Sequence, residues 1–111
     1  MLSIFFLLLG MLDAVEIRPN HQNLSSWQGS CNARFEVVIP AHADNRRVTI
    51  TVADAGGIRE EAEWPVEPGR FALYERFVQA GEDERLVLTA RLYGPFVGDI
   101  RASAVGVVRC V

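Results

Sequence analysis

The stretch ARFEVVI, Ala33 to Ile39, decides the fold class. Ala33, Phe35, Val37 and Ile39 fall on one face, and Arg34 and Glu36 on the other. A period of two places alternate side chains on opposite sides of an extended chain, so the pattern predicts a half-buried β-strand. The same period returns further along. In RVTITV, Val48, Ile50 and Val52 point inward and Thr49 and Thr51 outward, with β-branched residues throughout. LVLTARLYG places Leu86, Leu88, Ala90 and Leu92 inward. DIRASAVGVVRC places Ile100, Ala102, Ala104, Gly106, Val108 and Cys110 on one face and Arg101, Ser103 and Arg109 on the other. FALYERFV restores some alternation, with Phe71 and Leu73 read as inward and Ala72, Tyr74 and Arg76 as outward.

Turn chemistry separates these runs at Pro40 to Asn45, Asp54 to Gly57, Ala80 to Asp83 and Gly94-Pro95. The segment IREEAEWPVEPGR admits a short helix over Glu60, Glu61 and Glu63. Pro65 and Pro68-Gly69 favour irregular strand and turn instead. No long amphipathic helix interrupts the series. Short strands at intervals of roughly 10–20 residues, joined by turns, predict an all-β fold. The expected architecture is an antiparallel, immunoglobulin-like β-sandwich with one disulfide.

The chain begins MLSIFFLLLGMLDA, an apolar run from Ile4 to Leu9 that continues through Met11 and Leu12 and ends at the small residue Ala14. That is the pattern of a signal peptide over residues 1–14, and the run is well short of the ~20 residues that span a bilayer. Residues 15–26, VEIRPNHQNLSS, are polar and lack a period, and read as an extended leader. The domain proper is expected over 27–111. Secretion makes the two cysteines, Cys31 and Cys110, a disulfide pair. It also makes Asn23-Leu24-Ser25 a glycosylation acceptor.

Every basic residue is arginine, and 11 of them face 14 acidic residues. Without a basic excess neither nucleic acid nor an anionic membrane is an expected partner once the signal is removed. His21 and His42 are not spaced with the cysteines as zinc ligands are, so no metal and no cofactor is expected. Catalysis is hard to build: there is no G-x-S-x-G elbow, and the cysteines read as paired rather than nucleophilic. Glu60, Glu61 and Glu63 could supply an acid and a base, but a solvated acidic loop is the better account, because no apolar pocket is evident to raise a carboxylate's pKa.

Binding is easier to build. Trp27, Trp64 and Tyr74 each lie in a polar setting, and rings in line on a sandwich surface would stack on the apolar faces of pyranose rings. Gln28, Glu63 and Arg76 would then take sugar hydroxyls. From Trp27 to the C-terminus the spacing resembles the family 2 carbohydrate-binding modules. Trp27-Gln28-Gly29 stands at the opening W-x-G-G-F motif, with Ser30 and Cys31 in place of its second Gly and its Phe. Thr49 to Val52 matches a T-x-T-V strand, Trp64 the second tryptophan, and Tyr74 to Gly81 an aromatic seven residues before a turn glycine. The resemblance implies a secreted, non-catalytic module that binds cellulose, chitin or a related polysaccharide through Trp27, Trp64 and Tyr74. Two other readings remain open. One is an immunoglobulin-like or transthyretin-like module that binds a protein, and the other a small secreted inhibitor that uses the acidic stretch Glu60 to Glu67.

Overall fold

The computed structural model describes residues 14–111. The expected signal segment lies outside the described residues, apart from Ala14. The strands are β1 (Glu16–Arg18), β2 (His21–Leu24), β3 (Ser30–Ile39), β4 (Arg47–Asp54), β5 (Gly57–Pro65), β6 (Ala72–Gly81), β7 (Arg85–Tyr93) and β8 (Ile100–Cys110). They form a three-stranded sheet in the order β1-β3-β6 and a five-stranded sheet in the order β2-β8-β7-β4-β5. The two sheets pack as an immunoglobulin-like sandwich.

The alternating residues of β3, β4 and β7 fill the space between the sheets. Phe35, Ile39, Ile50, Leu86, Leu88 and Leu92 are the largest fully buried side chains. Thr49 and Thr51 point away from that core yet are also buried, because β4 is flanked on both sides. Glu63 and Arg91 lie in register with Thr49, and Glu61 and Thr89 with Thr51. Cys31 on β3 and Cys110 on β8 form the disulfide, with Cα atoms 5.7 Å apart, and so join one sheet to the other. At Gly106 of β8 the sheets approach closely. A Cβ there would stand 2.7 Å from Ile17 Cγ2 and 3.0 Å from Phe35 Cε1.

Three features differ from the sequence expectation. First, residues 15–26 are extended but belong to the sandwich. Val15 and Ile17 are buried, β1 pairs antiparallel with β3, and β2 pairs parallel with β8. The sandwich is therefore mixed rather than purely antiparallel. One short segment crosses between the sheets at Pro19-Asn20 and closes that side. Two apolar residues are too few to reveal a period, and β2 is held by backbone pairing that its polar side chains do not signal.

Second, β6 presents the opposite face. Ala72, Tyr74, Arg76, Val78 and Ala80 turn inward, whereas Phe71, Leu73 and Phe77 are more than half exposed. Cys31 pairs with Ala80 and Ala33 with Val78, so the buried end of β3 sets the face, and a one-residue choice flips the whole strand. Arg76 tolerates the inward position because Glu60 meets its guanidinium at 2.7 Å.

Third, Ile100 is exposed. The β7–β8 register shifts beside Leu92/Tyr93, so that Ala102 faces Leu92 while Ile100 faces Tyr93. The extra residue, Arg101, is a bulge that carries Ile100 to the outer face.

Candidate functional site

The residues expected to bind ligand fall in three separate places. Trp64 on β5 and Tyr74 on β6 meet at the open side of the sandwich. Their ring centroids are 5.0 Å apart and their planes 73° apart, an edge-to-face contact. Both rings are partly buried against the core. Arg76 lies beside them, bonded to Glu60. Trp64 Nε1 and Arg76 Nε are buried there without a hydrogen-bond partner. Rings at this angle cannot lie flat along one polymer, so the expected line of three stacking rings is not formed. Glu63 lies apart, on the outer face of the five-stranded sheet, where it accepts from Arg47 at 3.2 Å.

Trp27 and Gln28 make the third place, and here the geometry is different. The chain turns through Gln28 (φ 53°) and Gly29 (φ 84°). Two successive positive φ values are those of a type I′ turn, which glycine enters without steric cost and glutamine does not. Trp27 N–H donates to Ser30 O at 2.8 Å, and Ser30 N–H to Trp27 O at 3.3 Å. The turn is fastened from several sides. Cys31 follows it directly, Ser26 N–H donates to Val111 O at 2.8 Å, and Glu82 N–H donates to Gly29 O at 3.0 Å. Ser26 Oγ also donates to Glu82 Oε1 at 3.2 Å.

On this rigid support Trp27 is 76% exposed, which forgoes roughly 3–5 kcal/mol of burial. The indole borders a cleft of about 320 Å³, lined also by Leu24, Ser25, Gln28, Ser30 and Asn32. A flat apolar ring thus stands among two amides and two hydroxyls. Of these cleft residues the sequence singles out Trp27 and Gln28 and not Ser25, Ser30 and Asn32, although all five lie within a short stretch of chain. Among the described residues no group of three or more His, Cys, Asp or Glu is placed to hold a metal ion.

The neighbouring turn carries Glu84, the one carboxylate among the described residues that is held away from its ordinary range. Glu84 accepts Gly81 N–H at 2.9 Å and Arg59 at 2.7 Å. The backbone N–H first, and the guanidinium second, hold its carboxyl below the ordinary range. A folded-state value below the unfolded one contributes stability above the unfolded pKa, about 4.3 for glutamate. That contribution is lost as pH falls through the folded value. Glu84→Gln is therefore expected to lose less stability than the native chain between neutral pH and strong acid. Thermal melts at both conditions check this, and equal losses would contradict it.

No protein-family model and no curated protein matches the chain. Solved structures do. A C. elegans MSP family member is similar at 10% identity with a TM-score of 0.56, covering 89% of this chain and 99% of that one. The CARDB domain of a Pyrococcus furiosus protein, solved in complex with di-metal ions, is similar at 13% identity with a TM-score of 0.54, covering 88% and 91%. Superoxide reductase (neelaredoxin) from Ignicoccus hospitalis is similar at 14% identity with a TM-score of 0.54, covering 88% and 80%. At these identities the likeness is one of fold.

Proposed function

We propose that this chain is a secreted, non-catalytic binding domain that takes one sugar ring of a polysaccharide, cellulose, chitin or a related glycan, at the Trp27 cleft. The observation that carries the reading is Trp27 itself: a tryptophan left in water on a turn locked by a disulfide and five hydrogen bonds. A pyranose face laid on the indole removes two apolar surfaces from water at once. Gln28 and Asn32 offer amides, and Ser25 and Ser30 hydroxyls, to the equatorial groups around it. The resemblance of Trp27-Gln28-Gly29 to the opening of family 2 carbohydrate-binding modules supports the ligand class. Trp64, Tyr74 and Arg76 then serve to close the sandwich edge. The disulfide and the apolar start of the chain support secretion, and the exposure of Asn23 supports its glycosylation.

Retention on insoluble cellulose and chitin tests this reading. Trp27→Ala is expected to cost about 2 kcal/mol of binding, roughly 30-fold in affinity, with an unchanged melting temperature. Trp64→Phe is expected to be retained as the native chain is. Full retention of Trp27→Ala would overturn the assignment.

A second reading, a module that binds a protein, is favoured by one observation: Phe71, Leu73 and Phe77 stand exposed on or beside the edge strand β6. The acidic stretch gives less support to an inhibitor, because Glu60, Glu63 and Glu67 are each engaged by an arginine.

A further inference from the structure

The sandwich has one closed side, where β1 and β2 cross between the sheets, and one open side with two long edges, β5 and β6. Unpaired strand edges template association unless something blocks them. β5 is blocked. Its pairing with β4 shifts at Val52/Ala53, it carries Arg59, Glu60, Glu61 and Glu63, and it ends at Pro65. β6 has fewer of these guards: its charges are Glu75 and Arg76, each held in an ion pair within its own copy. Its register with β3 runs from Ala72 to Gly81 without a shift, it contains no proline, and Leu73 and Phe77 stand on its outer face.

We propose that β6 pairs with β6 of a second copy, antiparallel and centred on Phe77, so that two three-stranded sheets become one continuous sheet. The choice of partner and register follows from side-chain pairing. Adding a strand while keeping outer face with outer face requires an odd- or even-numbered residue to meet one of the same parity. Of the symmetric registers allowed, two give the longest overlap. Centring on Arg76 sets Arg76 against its own copy, and like charges directly opposite destabilise a sheet. Centring on Phe77 overlaps Leu73 to Gly81 of both copies. Phe77 then meets Phe77 on the two-fold axis, Glu75 meets Gln79, Arg76 meets Val78 and Tyr74 meets Ala80, with no like charges opposed. The shorter register centred on Glu75 sets two carboxylates together.

Glu75 needs no new counter-charge in this dimer, because Arg34 already holds it in an ion pair, and Arg34 lies beside Phe77 in the β3–β6 register. A C2 contact of this kind is self-complementary and closes, so it yields a dimer rather than a fibre. It would also couple two Trp27 clefts in one particle and raise retention on a repetitive surface through effective concentration. The dimer does not depend on the glycan reading, since it uses none of the cleft residues.

Sedimentation of the chain Val15–Val111 from micromolar to submillimolar concentration is expected to show a monomer–dimer equilibrium, weakened about tenfold or more by Phe77→Asp with no loss of melting temperature. Cysteine cross-linking tests the register, because residues directly opposite in antiparallel strands lie within disulfide reach and diagonal ones do not. Phe77→Cys is expected to form a covalent dimer under mild oxidation. Glu75→Cys alone is expected not to, while Glu75→Cys combined with Gln79→Cys is. Phe77 is exposed, so these variants keep the core intact, and peptide mapping of Cys31–Cys110 verifies it. A chain that stays monomeric throughout overturns the proposal, as does a dimer that cross-links through Glu75→Cys alone.

Discussion

Replacing Cys31 and Cys110 with alanine is expected to lower the unfolding free energy by about 4.5 kcal/mol. The bond spans a sequence separation of 79 and ties β3 to β8, so it constrains nearly the whole unfolded chain of the domain. The entropy removed by such a closure grows only slowly with loop length, which places this bridge close to the largest effect the chain-entropy account allows. Domains of this size are stable by about 5–15 kcal/mol, so the doubly substituted chain would sit near the threshold of folding. Urea denaturation measures the change. The m-value is expected to rise as well, because the unfolded chain without the bridge exposes more surface. A loss below about 1 kcal/mol would mean that packing alone holds the sheets together and that the bridge serves the Trp27 turn only.

Phe35→Ala is expected to cost about 3–5 kcal/mol, the usual range for emptying an aromatic site in a core that cannot collapse onto it. Phe35 is 1% exposed, and its ring lies over Gly106 of β8. That contact makes a second substitution informative. Gly106→Ala introduces a methyl group that meets both Ile17 and Phe35, and overpacking of this kind costs about 1–3 kcal/mol. With Phe35 already alanine, part of the collision disappears. The two losses are therefore expected to fall short of additivity by about 0.5 kcal/mol or more in a double-mutant cycle. Strict additivity would assign the collision to Ile17 alone. It would then be β1, the strand that crosses beside Pro19, rather than the β3 core that excludes a side chain at residue 106.

What the amino-acid order reveals of this fold depends on how each strand is anchored. β3, β4 and β7 are legible because their inner faces are uniformly apolar, so only one choice of face buries them. β6 is not, since Phe71 and Leu73 compete with Val78 and Ala80 for the inside. The contest is settled by the pairing of Cys31 with Ala80, which no local window contains. The outward turn of Ile100 is illegible for a related reason: the bulge at Arg101 resets the period, and nothing in the sequence marks it. β1 and β2 are too short to show a period.

The site divides in the same way. Trp27 and Gln28 are neighbours in sequence and share a turn, so they stay together in space. Trp64 and Tyr74 come from strands of different sheets. Sequence alone does not disclose that their rings meet edge to face instead of lining a surface, or that Glu60 reaches Arg76.

The most direct test of the central claim isolates Trp27 as the only indole. In the Trp64→Phe chain all tryptophan emission comes from the exposed ring beside the disulfide. Titration with soluble cello- and chito-oligosaccharides is predicted to move that emission to shorter wavelength and to saturate with one of the two sugar series, as a pyranose displaces water from the indole. No change in this variant, together with a saturating change in Trp27→Phe, where only Trp64 emits, would contradict the account and move the ligand to the edge between β5 and β6.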